Sequence, residues 1–128
     1  MQSPTSHSIL LVDDDQEFLE ILMRRLIRRG MTVTGAGSPA EALHAAGQQQ
    51  FQVAVIDRSL PGQDGLELMA GLKAGNSQLQ VIVLSGHSDQ ASIDGALTNG
   101  AREYLTKPCG LSDLEDAINR ALGITGAR

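Results

Sequence analysis

Acid, acid and base stand at three widely separated places in this chain. Asp13, Asp14 and Asp15 follow one apolar run, Asp57 follows another, and Lys107-Pro108 follows a third. Carboxylates drawn together repel by roughly 4 kcal/mol per pair at 4 Å when the effective dielectric is near 20, so a cluster of them stays ionised only beside a counter-cation. A divalent ion and the Lys107 ammonium would supply that charge. Such a set suits acceptance of a phosphoryl group, which asks a protein mainly for alignment and charge neutralisation.

For these residues to meet, the chain must bring distant segments to one edge. Apolar runs at 8–12, 31–36, 51–56, 80–84 and 101–105 read as strands, and the first, third and fourth are continuously apolar, as parallel strands covered on both faces should be. Between them Phe18, Ile21, Leu22 and Leu26 recur at helical spacing. Ser38, Pro39 and Glu41 make a helix start, and Leu66, Leu68, Met69 and Leu72 follow Gly65. A fourth helix begins near Ser88 with Ala91, Ala96 and Leu97, and a fifth carries Leu111, Leu114, Ile118 and Leu122. Gly30, Gly47, Gly75, Gly100 and Gly123 fall where these helices should stop.

This alternation is (βα)5, an α/β fold with a doubly wound parallel five-stranded sheet and right-handed crossovers. Ligands of open parallel sheets bind outside the carboxyl ends of the strands. Asp13 and Asp14 follow the first strand, Asp57 ends the third, Ser85 follows the fourth and Lys107 follows the fifth. Four strand ends thereby converge.

The 128 residues fit one domain at 8–122, with a loose N-terminal tail at 1–7 and a C-terminal tail at 123–128. Ten Lys and Arg against fifteen Asp and Glu give a net charge of -5, which argues against direct nucleic-acid binding by this segment. The single cysteine, Cys109, cannot form an internal disulfide. No apolar run approaches the roughly 18 to 20 residues of a membrane span, and residues 1–7 lack the blocks of a secretory signal. A cytoplasmic protein is the expectation.

At its acid and base positions the chain resembles the receiver domain of bacterial two-component response regulators. The fragments that carry the likeness are LLVDDD at 10–15, VAVIDRSLPGQDGLEL at 53–68, VIVLSGHSD at 81–89 and GAREYLTKP at 100–108. The resemblance implies the flavodoxin-like strand order 2-1-3-4-5. It implies that Asp57 accepts a phosphoryl group from a histidine kinase, a histidine phosphotransfer protein or a small acyl phosphate, forming an aspartyl phosphate. It further implies that Asp14 coordinates Mg²⁺ directly and Asp13 mostly through water, with Asp57 and the main-chain carbonyl of Ser59 completing the protein's share. Lys107 would pair with one phosphoryl oxygen, after a cis peptide to Pro108 that aims the ammonium inward, and Ser85 would donate to another.

In such domains an aromatic at the place of Tyr104 turns inward as the Ser or Thr moves, altering the face of the fourth helix, fifth strand and fifth helix. The implied protein is a signalling phospho-acceptor in a phosphorelay and not an enzyme in its own right. Its partners would be the kinase and a downstream effector or output domain. The resemblance leaves room for a homodimer formed on phosphorylation, and six residues after Leu122 are too few for an output domain.

Competing readings attach to the same residues. Asp13 to Asp15 could simply start a helix, which suffices for Asp15, Ser85-Gly86 could be a turn, and Lys107 could be a solvated loop residue. The Asp13-x-Asp15 pair with Ser85 and Lys107 also resembles haloacid-dehalogenase-like phosphohydrolases, with Asp13 as nucleophile, but no late acidic pair follows Lys107. A third alternative is a receiver-like scaffold that is never phosphorylated.

Arg24, Arg25, Arg28 and Arg29 read as solvated charge favoured by the end of the first helix, and the resemblance adds a docking role for that helix. His7, His44 and His87 share no metal-ligand pattern, although His87 lies near the pocket. Cys109 replaces the bulky aromatic that many receivers carry after Lys-Pro, and reads as a small buried hydrophobe.

Overall fold

A computed structural model describes residues 7–124; of the expected tails at 1–7 and 123–128, all but His7, Gly123 and Ile124 lie outside the described residues. Five strands and five helices alternate: β1 Ser8–Val12, α1 Gln16–Arg28, β2 Thr32–Ala36, α2 Pro39–Gln48, β3 Val53–Asp57, α3 Gly65–Gly75, β4 Gln80–Ser85, α4 Gln90–Thr98, β5 Glu103–Thr106 and α5 Leu111–Leu122. The strands form one parallel sheet in the order β2-β1-β3-β4-β5. A two-residue antiparallel ladder, Ser59–Leu60 against Gln63–Asp64, closes the loop between β3 and α3. The expected (βα)5 topology and its strand order are both present.

Side chains alternate across each strand, and the two sets bury against different helices. Leu10, Val12, Ala54, Ile56, Val81 and Val83 pack with Ala42, Leu68, Met69, Leu72 and Ala96 of α2, α3 and α4. Ile9, Leu11, Val53, Val55, Ile82 and Leu84 pack with Leu19, Leu22 and Leu26 of α1 and with Leu114, Ala117 and Ile118 of α5. Covering both faces is what makes the central strands apolar without alternation.

Four of the five helix starts follow side-chain caps, and α5 follows Gly110 without one. Asp15 accepts the Phe18 N–H, Ser38 the Glu41 N–H, Asp64 the Leu66 N–H and Asp89 the Ser92 N–H. Each satisfies one amide that the first turn leaves without a partner. Gly123 closes α5 in the left-handed conformation, φ 78°.

Several boundaries differ from the expectation. Gly47 does not stop α2, which continues to Gln48 and is capped by the extended Gln49. The cap of α4 is Asp89, whose carboxylate is a better acceptor for free amides than the Ser88 hydroxyl. Phe51 is buried but precedes β3, because pairing with β1 begins at Ile9 opposite Val53. The last strand is Glu103–Thr106, two residues later than its apolar run began. Ile21 and Leu97 face outward, 45% and 43% exposed, and Leu19 takes the core position that Ile21's spacing suggested.

Candidate functional site

Register alone brings the chemistry together. Val12 pairs with Ile56, so Asp13 is level with Asp57; Asp57 pairs with Leu84, so Ser85 is one step beyond; Ser85 pairs with Thr106, and Lys107 comes next. All four lie at the carboxyl edge within two residues' rise, roughly 7 Å.

The acids form a tight group. One carboxylate oxygen from each of Asp13, Asp14 and Asp57 lies within 4.8 Å of the others. Asp13 and Asp57 are 2% and 5% exposed, whereas Asp14 is open to solvent. Lys107 reaches into the group, with Nζ 3.1 Å from Asp57 Oδ2 and 3.3 Å from Asp13 Oδ2. The peptide joining Lys107 and Pro108 is cis. Backbone amides hold the other carboxylate oxygens: Asp15 N–H donates to Asp13 Oδ1 at 2.9 Å and Ser59 N–H to Asp57 Oδ1 at 3.0 Å.

These surroundings shift protonation in opposed ways. Burial is the main cause holding the Asp13 carboxyl above its usual range, and the Asp57 charge adds to it, against the Asp15 amide and Lys107. For Lys107, burial works against the ammonium, but the hydrogen bond to Asp57 and the charges of Asp13 and Asp57 outweigh it and raise its pKa. One ammonium thus faces three carboxylates, a set short of positive charge. Hard oxygen donors in this number suit a small divalent cation, and the unbalanced charge is what such an ion would neutralise.

Ser85 is fully buried and its Oγ accepts the His87 N–H at 3.1 Å. Tyr104, half-buried beside the α4 side of the core, donates its hydroxyl to the His87 carbonyl at 2.6 Å. One peptide segment thereby joins both residues expected to act as a switch. Ser59, expected to offer its carbonyl, stands in the short ladder beside Asp57.

Other side chains were not singled out from the sequence as parts of the site. The Phe18 ring lies 6.0 Å below the Lys107 ammonium, within cation–π reach; its helical spacing marked it only as apolar. Arg25 and Arg29 are not merely solvated: they pair at 2.5 and 2.9 Å with Glu115 of α5, which is 4% exposed. A pairing across 90 residues leaves no local trace in the sequence. Cys109 is half-buried against the α1 and α5 side, where burial pushes its thiol pKa up, with a further push from Asp113. Among the described residues no helix is long and apolar enough to cross a membrane.

A doubly wound sheet carrying a lysine-countered trio of aspartates at its carboxyl edge defines a phosphoryl-handling α/β domain. The chain belongs to the response regulator receiver domain family, whose model matches residues 9–119. It is 36% identical over 118 residues to the transcriptional activator protein PfeR of Pseudomonas aeruginosa, covering 90% of this chain and 38% of that protein. It is 33% identical over 114 residues to the DNA-binding transcriptional regulator NtrC of Escherichia coli, covering 89% of this chain and 24% of that one. The chain therefore spans well under half the length of either relative. A CheY-like receiver domain protein of Methanospirillum hungatei superposes with a TM-score of 0.87 at 28% identity, covering 93% of this chain and 95% of that one. The hydrolase alternative gains no support from these likenesses.

Proposed function

We propose that this domain is a signalling switch in which Asp57 takes a phosphoryl group from a histidine kinase, a phosphotransfer protein or a small acyl phosphate. The observation that carries the reading is the Lys107 ammonium held between Asp57 and Asp13 at the edge where four strand ends meet. An Asp57 oxygen attacks phosphorus, the bond from phosphorus to the donor's nitrogen or bridging oxygen breaks with that atom keeping the electron pair, and the product is an acyl phosphate on the Asp57 side chain. Lys107 moves from its carboxylate partners onto a phosphoryl oxygen, exchanging one anionic acceptor for another. Asp13, Asp14, Asp57 and the Ser59 carbonyl are the groups that would hold Mg²⁺. The bound ion supplies charge neutralisation for the transferred group.

Ser85 donates to a second phosphoryl oxygen once Asp57 is modified. To do so its hydroxyl turns from the His87 N–H, and the Tyr104 hydroxyl on the His87 carbonyl responds to the same segment. The phosphoryl group thus selects one arrangement of α4 and β5 over another. The changed face would engage an effector, an output domain or a second copy. On this reading the domain assists only its own phosphorylation and dephosphorylation, and it works in the cytoplasm.

Intact mass after exposure to an acyl phosphate and magnesium tests the assignment. The wild type is expected to gain one phosphoryl group, Asp13→Asn to gain it slowly, and Asp57→Asn to gain none. A label that persists on Asp57→Asn, together with turnover that depends on Asp13, would overturn the reading in favour of a hydrolase.

A further inference from the structure

The Lys107 ammonium has a third neighbour, one that carries no charge. The Phe18 ring lies beneath it, with its centroid 6.0 Å from Nζ, at the outer reach of a cation–π attraction. Phe18 stands in the first turn of α1, half-buried against the α1 and α5 side of the core. Its backbone is tied to the acids through the start of that helix: Asp13 Oδ1 accepts the Asp15 N–H at 2.9 Å, and Asp15 Oδ1 accepts the Phe18 N–H at 3.1 Å. Lys107 Nζ closes the circuit on Asp13 Oδ2 at 3.3 Å. One short, capped segment thus places both a carboxylate and an aromatic face against the same ammonium.

That ammonium has somewhere else to go. The Lys107 side chain is 36% exposed, and a hollow of about 370 Å³ lined by Asp15, Phe18, Leu84, Lys107, Pro108 and Cys109 opens beside it. Asp13 and Asp57, the acids that hold it, belong to the cluster suited to a divalent ion, and Asp57 is the proposed acceptor. A divalent cation on those oxygens repels the ammonium, and esterification removes the Asp57 charge. The ring's attraction survives both changes, because its quadrupole is fixed and it takes no part in the proton or metal chemistry.

We infer that Phe18 is a positioning residue for phosphoryl transfer: its ring keeps the Lys107 ammonium at the acceptor while the carboxylates that otherwise hold it are engaged. The inference rests on Asp57 being the acceptor. Phe18 acts through Lys107, by setting the fraction of molecules in which the ammonium is in place, and that fraction multiplies the observed rate. Losing an attraction of the size found at partly exposed cation–π contacts lowers the fraction about threefold.

Ring fluorination tests this with almost no change of shape, since each fluorine draws electron density from the face and weakens its pull on a cation. The full chain carrying phenylalanine with no, one or three ring fluorines at position 18 is labelled with acetyl phosphate across a magnesium titration, and intact mass gives the rate. At saturating magnesium the rate is expected to fall in steps, by about threefold with three fluorines, while the magnesium midpoint does not rise. Phe18→Leu, which keeps an apolar side chain and removes the aromatic face, should slow the reaction at least as much. A rate indifferent to the number of fluorines overturns the inference. So does a midpoint that rises with fluorine number, which assigns the ring to shaping the acid loop and not to holding Lys107. A wild type that takes no label, or a label that survives Asp57→Asn, overturns the acceptor assignment instead.

Discussion

Replacing Gly65 by alanine should damage the site from behind, while the same change six residues later should strengthen the helix. Gly65 opens α3 directly against the backbone that carries Asp57. A Cβ there would stand 2.5 Å from the Asp57 carbonyl oxygen, 2.8 Å from Arg58 Cα and 3.0 Å from Ile56 Cγ2. Carbon contacts settle near 3.5 Å, so the shortfall is roughly 0.5 to 1 Å. Two of the three neighbours are backbone and cannot rotate away, and the Gly65 N–H bond to the Arg58 carbonyl at 2.8 Å pins the approach. The φ of Gly65 is not positive, so the demand is for space alone.

Overpacking of this kind costs about 1 to 3 kcal/mol, and rigid neighbours put Gly65→Ala at the upper end. A Cβ on Gly71 would meet only Leu43 Cδ2, at 3.8 Å. There the better helix propensity of alanine should add about 0.5 to 1 kcal/mol. Urea denaturation measures both shifts. The Gly65 variant should also accept phosphate more slowly, by up to about a hundredfold, because displacing a reacting atom by 1 Å can cost that much. Midpoints that move in the same direction for both variants, or a Gly65→Ala protein as stable as the wild type, would refute the steric argument.

Two further outcomes follow from the charges. Asp13 is held above its ordinary value of 3.8, so the folded state binds the extra proton and stability falls as pH rises through the window between the two values. Asp13→Asn should accordingly raise the melting temperature in neutral divalent-free buffer by a few degrees and lose that advantage when magnesium is added; thermal melts that rank the proteins the other way would contradict this. Glu115 behaves in the opposite sense, its hydrogen bond to Arg25 holding it below 4.5 despite burial. Its stabilisation is present above that value and disappears as pH falls through the lowered one. Removing one partner of a buried pair costs about 3 to 5 kcal/mol, but Arg25 and Arg29 are 40% and 54% exposed and rehydrate, so Glu115→Gln should cost about 1 kcal/mol at neutral pH. Urea midpoints at pH 7 and in acid check it, the difference from the wild type vanishing in acid.

The acceptor pocket was legible because its members sit at strand ends, where apolar runs stop and a charged residue begins. Asp13, Asp57 and Lys107 needed no contact information beyond the rule that parallel strands present their carboxyl ends together. Ser85 and Tyr104 were legible as positions, but their joint hold on His87 was not, since it depends on how the loop after β4 turns. Boundaries failed where two local signals competed, as with Gly47 inside α2 and Ser88 beside the stronger cap Asp89.

Hydrophobic periodicity and the punctuation of caps and glycines were enough to determine the order of elements, the parallel sheet and the edge at which charges gather. These are properties of short stretches, each reporting on its own backbone and burial. Only the tertiary structure decided that Arg25 and Arg29 close on Glu115, that Phe18 lies under Lys107, and that Arg58 Nη1 is buried without a partner among the described residues. Such contacts join residues from different elements, and their distances depend on how helices settle against the sheet, which no single stretch of sequence encodes.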